Sequence, residues 1–477
     1  MAGRFLTMFK PLSRFVPEVT PPERRVGFNE KLFWTAMALV LYLIMSEVPL
    51  YGVGLRGGWE LTYLRVIFAS NRGSLMELGI GPIVTAGLIL QLLAGSGMIG
   101  CDFSDPEDRS LFTSASKVFS IIMIGVQASA YLIGGVYGPL DPRESIVIFV
   151  ELLAAGLVLM LLDETLQKGW GIGSGISLFI MAGVAQRVLW DSLDPFPGGS
   201  PDGKSHGALV ALFQTILNRE PLLNTLIREG NLPAMLGFLT TIAVFLVVIY
   251  VEGVRVELPI SYAQYRGYRA RYPIKLLYVS NLPVIFASAL FANIYFVSQL
   301  LWSYLGRPSP GANFWLDLIG QYNTPEGGQG PVPVGGLVYY VLSPGNFSDV
   351  VNNPLRALAY AGIMASFCVV FSLTWLEVGG LGPRTVARQL VDAGMQIPGF
   401  RRSDRAIELL LKRYIPTVTI LGGFIVGLIA AVADFFGVFG SGMGVLLSVG
   451  ILYQYYELLM RERVAEMYPA VRRLLGE

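Results

Sequence analysis

Ten apolar segments constrain the fold of this chain more than any other feature of its sequence. Each segment is long enough to cross a hydrocarbon core of about 30 Å as a modestly tilted helix. Only 14% of the residues are charged, whereas soluble domains carry about 25%. The segments are centred near Val40, Leu88, Gln127, Leu157, Phe179, Phe245, Phe291, Phe367, Val426 and Val449. The pattern predicts an all-α polytopic membrane protein whose termini lie on the same side.

Residues 59–95 do not form one clean apolar span. Glycine, proline and charged residues interrupt them, namely Arg65, Arg72, Glu77, Gly79, Gly81, Pro82 and Gly87. Lipid offers no partners to the backbone groups that such a break frees. A break at membrane depth is therefore tolerated only where it lines a cavity or is covered by protein. This stretch predicts a path through the membrane.

The distribution of Lys and Arg predicts the orientation. If the amino terminus is cytosolic, the cytosolic segments hold 25 of these residues and the opposite segments hold 10. The positive-inside rule therefore favours two cytosolic termini. Residues 1–31 then form a cytosolic amphipathic segment, in which apolar residues recur at helical spacing between Phe5 and Phe15. That spacing is equally typical of a helix lying on the bilayer and of a solvated amphipathic end.

The composition argues against most catalytic chemistry. His206 is the only histidine, and the two cysteines, Cys101 and Cys368, are far apart in sequence. Histidine-based triads, HExxH metal sites and cysteine-rich zinc sites are therefore not indicated. We expect no enzymatic activity, no cofactor and no bound metal.

Charged residues are scarce within the apolar segments. Glu47, Glu151 and Asp434 lie near segment ends, where exposure at the membrane interface is the expected explanation. Ion-coupled transporters usually carry intramembrane charges that pair or bind substrate. A charge-driven transport cycle is therefore poorly supported.

Four uncharged polar residues, Thr85, Gln127, Asn293 and Gln299, fall within apolar segments. Such side chains usually hydrogen-bond between helices, and packing is the commoner role for any one of them. A cluster of them on facing helices would form a weak latch that can be broken.

Glycine clusters at 171–175 and 440–444 open the fifth and the tenth segments. Interruptions at corresponding positions indicate an internal repeat of two five-helix halves with opposite orientation. A phosphate-binding loop is a poor explanation because no GK[ST] sequence follows. Close helix packing is the expected role of these glycines.

Two cytosolic connections, 253–281 and 377–413, carry signals of local structure. Alternating apolar residues from Val254 to Ile260 predict a hairpin in the first connection. The second predicts a helix over 385–393, a turn at 398–402 and a further helix from Ser403 or Asp404. Membrane topology alone explains basic loops, but arginine also suits phosphate recognition. An RNA-containing partner is therefore plausible.

Several long motifs resemble the SecY family over nearly the whole chain. They are ASNRGSLMELGIGPIVTAGLILQLLAG, GIGSGISLFI, YPIKLLYVSNLPVI, LKRYIP and ADFFGVFGSGMGVLL. Within the family the chain is similar to the eukaryotic branch that supplies the alpha subunit of the endoplasmic-reticulum protein translocon. The resemblance implies a protein-conducting channel that translocates secretory polypeptides and releases transmembrane segments sideways into that membrane. A secondary transporter of a small solute remains the alternative, because a broken helix and an inverted repeat would also suit one.

The resemblance further implies a clamshell with an amino-terminal half over 32–232 and a carboxy-terminal half over 233–477. It places a plug helix at about 58–70 and an apolar pore ring between the halves. The implied ring residues are Ile80, Val84, Leu88, Ile176, Ile180, Ile285 and Leu447. An apolar ring can seal around a translocating chain without binding it, and disfavours water and ions when closed.

The implied lateral gate lies between spans two and three on one side and spans seven and eight on the other. Thr85, Gln127 and Asn293 match its polar cluster. The two basic connections would dock on a ribosome, with the first presenting its arginines at the hairpin tip. The implied docking residues are Arg266, Arg269, Arg271, Arg401, Arg402 and Arg405. Further implied partners are beta and gamma subunits, signal peptides, nascent chains, accessory post-translational translocation factors and membrane lipid.

Overall fold

The computed structural model of the chain describes residues 8, 11, 16–24, 26–52, 73–95, 99, 106–133, 137, 141–196, 203–226, 228, 232–262, 269–279, 282–305, 314–323, 332–345, 347–392, 395–396 and 404–467. The predicted plug over 58–70 lies outside the described residues, as does most of the amino-terminal amphipathic segment. Three predicted docking residues, Arg266, Arg401 and Arg402, also lie outside them.

Ten helices correspond one to one to the predicted spans. They are α1 (Phe28–Glu47), α2 (Gly81–Gly95), α3 (Pro106–Ile133), α4 (Pro142–Thr165), α5 (Gly175–Leu193), α6 (Met235–Gly253), α7 (Leu282–Tyr304), α8 (Pro354–Val378), α9 (Asp404–Phe435) and α10 (Gly442–Met467). Within the described ranges, nine of them are long and apolar enough to cross a membrane. The exception is α2, whose 15 residues rise only about 22 Å. The predicted ten-helix membrane fold is confirmed.

The chain is non-helical just before α2, where the sequence predicts a break. Residues 73–80 form turns beside the end of α1, because the Leu50 N–H donates to the Gly73 carbonyl at 2.7 Å. Gly73 and Gly79 have positive φ angles of 67° and 52°, which glycine adopts without strain. The buried Glu77 carboxylate accepts a hydrogen bond from the Gly73 N–H. The charge that disfavours a simple span therefore closes a turn.

The helices form two groups that meet along two seams. At one seam α2 contacts α7 and α8, and at the other α10 contacts α1 and α5. The Tyr455 hydroxyl of α10 donates to the Ser174 carbonyl just before α5, at 2.9 Å. One hydrophobic core contains residues from α1, α2, α5, α7, α8 and α10. The clamshell of two five-helix halves accounts for this packing.

The glycine clusters lie where helices approach closely, as predicted. A Cβ atom on Gly175 would lie 2.7 Å from the Asp163 Cα atom. A Cβ atom on Gly442 would lie 2.4 Å from the Ala430 carbonyl oxygen. Neither position has room for a larger residue unless the backbone moves.

The three carboxylates expected at the membrane interface differ in exposure. Glu47 is exposed and Glu151 is half-buried. Asp434 is only 5% exposed, so the expectation of interfacial exposure is wrong for it. Its carboxylate accepts hydrogen bonds from the Gly442 N–H at 2.6 Å and from the Tyr360 hydroxyl at 2.7 Å. The tight turn between α9 and α10 folds this end of α9 back onto the start of α10.

Asp163, in the last turn of α4, has the corresponding position before α5. Its carboxylate accepts hydrogen bonds from the Ile176 N–H at 3.0 Å and from the Gln167 amide at 2.8 Å. A carboxylate at a helix amino terminus satisfies free N–H groups and complements the helix dipole. The fifth helix of each half is therefore capped by an aspartate from the preceding helix.

Five strands lie in the connections. They are β1 (Arg255–Tyr262), β2 (Arg269–Lys275), β3 (Gln321–Asn323), β4 (Val332–Gly335) and β5 (Met395–Gln396). β1 and β2 form the antiparallel hairpin that the alternating pattern predicts. β5 pairs with the other edge of β1 and joins the two basic connections. A two-residue strand carries no pattern that would have predicted it.

Short helices complete the described connections. They are Ala208–Leu217, Leu223–Leu226, Phe314–Ile319, Leu337–Val341, Phe347–Asn352 and Pro383–Asp392. The last corresponds to the helix predicted over 385–393, and α9 begins at Asp404 as predicted. Pro383–Asp392 packs with the base of the hairpin and the start of α9 in a separate hydrophobic cluster. The two basic connections therefore share a folded core.

Candidate pore, lateral gate and docking surface

The predicted ring residues lie in one hydrophobic cluster. Ile80, Val84 and Leu88 recur every fourth residue, which puts them on one face of α2 and of the turn before it. Ile176 and Ile180 are spaced in the same way on α5. Ile80, Val84, Leu88, Ile180 and Leu447 are buried in this cluster, and Ile176 and Ile285 pack against it half-buried.

The ring takes side chains from both halves of the molecule. Val84 on α2 and Ile180 on α5 belong to the first half, while Ile285 on α7 and Leu447 on α10 belong to the second. All seven side chains are hydrocarbon, so a pore ring formed by them would offer no partner to water or an ion. Its width depends on how closely the two halves approach.

A hydrogen bond joins α2 to α7 beside the ring. The Asn293 amide donates to the Thr85 hydroxyl at 3.1 Å and to the Ala289 carbonyl at 2.7 Å. Thr85 is only 3% exposed. Two of the three residues predicted for the gate cluster are therefore in contact.

Gln127 does not join this contact. It is half-buried on α3, and among the described residues no hydrogen bond links it to Thr85 or Asn293. Gln299, the fourth polar residue singled out in the sequence, is buried on α7.

An aromatic stack joins α3 to α7 instead. The rings of Tyr131 on α3 and Phe296 on α7 lie 5.0 Å apart between centroids, at 28°. Sequence analysis missed this pair. Its signal is spacing, since Tyr131 lies one helical turn after Gln127 and Phe296 lies three residues after Asn293.

A narrow groove lies between α2, α7 and α8. It is lined by Leu88, Gln91, Leu92, Phe286, Phe371, Thr374 and Trp375. Within the described part of the chain, the buried side-chain amide oxygen of Gln91, Oε1, has no hydrogen-bond partner. The groove shares Leu88 with the ring, so ring and gate adjoin.

The predicted docking arginines occupy different positions. Arg269 is the first residue of β2, and it pairs with Ser261 at the end of the hairpin nearest the tip. Arg271 lies two residues further along β2, where it pairs with Pro259. The prediction that Arg271 lies at the hairpin tip is therefore wrong. Its exposed guanidinium donates to the Glu257 carboxylate at 2.7 Å, and this hydrogen bond raises the pKa of Arg271. Arg405 is exposed in the first turn of α9.

Sequence analysis did not single out Arg384 and Arg388 as docking residues. Both are exposed, and they lie one turn apart on the helix Pro383–Asp392. Their four-residue spacing is the signal that would have identified one basic face. The opposite face, with Val386 and Leu390, is buried in the hydrophobic cluster that the two basic connections share.

Polar contacts attach this shared cluster to the membrane helices. The Lys275 ammonium lies 3.0 Å from the Glu457 carboxylate of α10 and 5.0 Å from the centre of the Tyr453 ring. The Tyr278 hydroxyl donates to the Leu381 carbonyl at 3.1 Å, and burial raises the pKa of Tyr278. The exposed arginines therefore stand on a fixed base.

Among the residues that the structure describes, no three side chains of His, Cys, Asp or Glu lie close enough together to bind a metal ion.

The apolar cluster to which both halves contribute, with a hydrogen bond between α2 and α7 beside it, is the arrangement expected of a membrane channel. A family model described as SecY matches residues 74–456, and one described as the plug domain of Sec61p matches residues 40–73. The chain belongs to the SecY family.

Relatives match along almost their full length. The Sec61 subunit alpha of Dictyostelium discoideum is 43% identical over 473 residues, which cover 97% of this chain and 98% of that protein. The protein translocase subunit SecY of Pyrococcus horikoshii is 44% identical over 475 residues, with 97% of each chain covered.

Solved structures of similar proteins share the fold. One described as a protein conducting channel has a TM-score of 0.82 at 39% identity and covers 97% of this chain and 99% of that chain. Sec61 in the canine ribosome-channel complex from the endoplasmic reticulum has a TM-score of 0.80 at 39% identity, with the same coverage.

Proposed function

We propose that this chain forms the pore of a protein translocase in the endoplasmic-reticulum membrane. It passes secretory polypeptides through the apolar ring and releases transmembrane segments between α2–α3 and α7–α8. The observation that carries the proposal is the single hydrophobic cluster in which both halves contribute ring residues. The channel is passive and has no catalytic site, so the driving force comes from a ribosome or an accessory motor.

Site-specific crosslinking tests this function. A photoreactive residue at Val84 or Ile180 should capture a polypeptide stalled on a ribosome during translocation. The matched control is Leu246 on α6, which is 62% exposed on the outer surface and should give no adduct before lateral release. Uptake of a small solute without any adduct at the ring would favour the transporter.

We further propose that both termini are cytosolic and that the basic connections bind a ribosome. The Lys and Arg distribution supports the orientation. The fixed base beneath Arg271, Arg384, Arg388 and Arg405 supports a docking role. The canine relative solved in a ribosome-channel complex supports the same partner. Beta and gamma subunits, signal peptides, accessory post-translational factors and membrane lipid complete the proposed partners.

Salt dependence tests the docking surface. Replacing Arg266 and Arg402 with Glu should weaken ribosome binding and make it less dependent on salt. With fewer phosphate contacts, binding releases fewer counterions. Unchanged binding at all salt concentrations would remove both residues from the surface.

The domain division also remains a proposal. We place the boundary between the halves at Pro233, within a connection that Arg228 holds together. The Arg228 guanidinium donates to the carbonyls of Ser205 and His206 at 3.0 Å and to that of Pro233 at 3.1 Å. This compact connection supports a hinge between 32–232 and 233–477.

The plug over 58–70 is a further proposal, supported by the plug-domain match to residues 40–73. The plug would leave the pore by moving about a hinge at Asn71, Arg72 and Gly73, while the ring stays in place. A reversible tether from Ser70 to the channel wall should stop translocation, and release of the tether should restore it. Undiminished translocation with the tether closed would contradict a mobile plug.

A further inference from the structure

An amino-terminal strap, residues 16–20, crosses the cytosolic ends of three helices. Val16 packs in a hydrophobic cluster with Leu90 and Leu93 of α2 and with Ala115 and Val118 of α3. The strap then passes the end of α4, where the Trp170 indole donates to the Thr20 carbonyl at 2.9 Å. It therefore contacts the two helices of the first half that form the gate.

Four charged side chains fix the strap in place. Both Lys117 of α3 and Lys168, just after α4, contact the same carboxylate oxygen of Glu164, at 2.5 and 2.8 Å. Glu18 of the strap lies 2.6 Å from the Lys168 ammonium and 3.4 Å from that of Lys117. Lys168 also donates to the Val19 carbonyl at 2.5 Å.

The balance of charge gives Glu18 a specific task. Two ammonium groups on one oxygen repel each other, and Glu164 alone neutralises only one of them. The Glu164 side chain is 7% exposed and the lysines are 20% and 24% exposed, so solvent screens this repulsion only partly. Glu18 supplies the second negative charge, and its hydrogen bond from Lys168 lowers its pKa.

We infer that Glu18 is a positioning residue for the lateral gate: it holds the cytosolic end of α3 against α4 and thereby sets how apolar a segment must be to open the gate. α3 also carries Tyr131, whose ring stacks on Phe296 of α7 across the proposed gate. An α3 that is anchored at its cytosolic end resists leaving that stack. This inference rests on the proposed function.

A graded series of signal sequences tests this role. In membranes that contain the complete translocase, Glu18→Gln should raise translocation of a weakly apolar signal about two- to fivefold, the small effect expected of an ion pair whose glutamate side chain is 65% exposed. A strongly apolar signal should be translocated as by the parent protein. Glu23→Gln is the matched control, because Glu23 is exposed five residues further along the same segment.

Charge exchange separates positioning from a general loss of structure. Glu18→Lys alone places three lysines around Glu164 and should lower the threshold further, while Glu18→Lys with Lys168→Glu should restore the parent threshold. An unchanged threshold in Glu18→Gln and Glu18→Lys, with translocation by the parent intact, would overturn the inference. Failure of the parent to translocate any signal would instead overturn the proposed function.

Discussion

In the proposed lateral gate, single side chains join the two halves. The Asn293 amide donates hydrogen bonds to the Ala289 carbonyl of its own helix and to the Thr85 hydroxyl of α2. Only the second of these bonds has to break when the halves separate. Interhelical hydrogen bonds in membranes contribute about 0.5–2 kcal/mol each, which an inserting apolar segment can offset.

Thr85→Val should therefore ease gate opening, because valine keeps the shape of threonine and removes the hydroxyl. We expect weakly apolar signals to be translocated about two- to tenfold better, corresponding to about 0.5–1.4 kcal/mol. Thr417→Val is the control, since the exposed Thr417 hydroxyl bonds only along its own helix, to the Arg413 carbonyl at 3.1 Å. Equal signal thresholds in the two variants would contradict a latch at Thr85.

The aromatic stack provides a second residue-scale test. Tyr131→Phe keeps the ring over Phe296 and should leave the signal threshold unchanged. Tyr131→Leu removes a contact worth about 0.5–1.5 kcal/mol and should lower that threshold. The measurement is again translocation of a graded signal series, and an equal effect of both substitutions would assign the role to the hydroxyl instead.

Polar residues in apolar helices can be recognised from sequence, but their partners cannot. Thr85, Gln127 and Asn293 are equivalent by that criterion, yet only two of them are bonded to each other. The rotation of α3 presents Tyr131 to α7, and rotation depends on packing that no local pattern encodes. Asp434 shows the same limit, since an acidic residue near a segment end looks alike whether it faces solvent or folds back.

At the scale of elements, the two basic connections form one folded unit. β5 joins the second connection to the hairpin, and the helix Pro383–Asp392 packs its apolar face on the shared core. Alternation predicted β1, and helical spacing predicted Pro383–Asp392. Their joining was not predictable, because backbone pairing by a two-residue strand leaves no mark on side-chain pattern.

Arg384→Gln with Arg388→Gln should weaken ribosome binding, since the pair forms an exposed basic face one turn wide. Loss of two phosphate contacts should also reduce the slope of log K against log salt by about one to two units. Arg143→Gln is the control, because Arg143 is exposed at the start of α4, on the proposed lumenal side. A constant slope would exclude this helix from the docking surface.

At the scale of the whole molecule, the two halves repeat one device at their last helix. The repeat was predictable from the glycine clusters at 171–175 and 440–444. The capping by Asp163 and Asp434 was not, because it depends on how the chain turns between helices. Each cap removes a free N–H group from a buried helix end.

Asp434→Ala should lower the thermal unfolding midpoint of the purified translocase more than Asp434→Asn. Alanine leaves the Gly442 N–H and the Tyr360 hydroxyl without their acceptor, and each unsatisfied buried group costs about 1–3 kcal/mol. Asparagine keeps an oxygen for the Gly442 N–H. The midpoint in detergent is the measurement, and equal shifts would mean that charge rather than hydrogen bonding is what the site requires.

Val84 and Thr85 are neighbours in the chain, and the first faces the ring while the second holds the seam. A displacement of α2 that parts the seam therefore also disturbs the seal. The same displacement of α2 would therefore both release a membrane segment sideways and let ions leak through the ring. Variants that admit poor signals should also pass small ions at rest, so conductance of the idle channel becomes a measure of its fidelity.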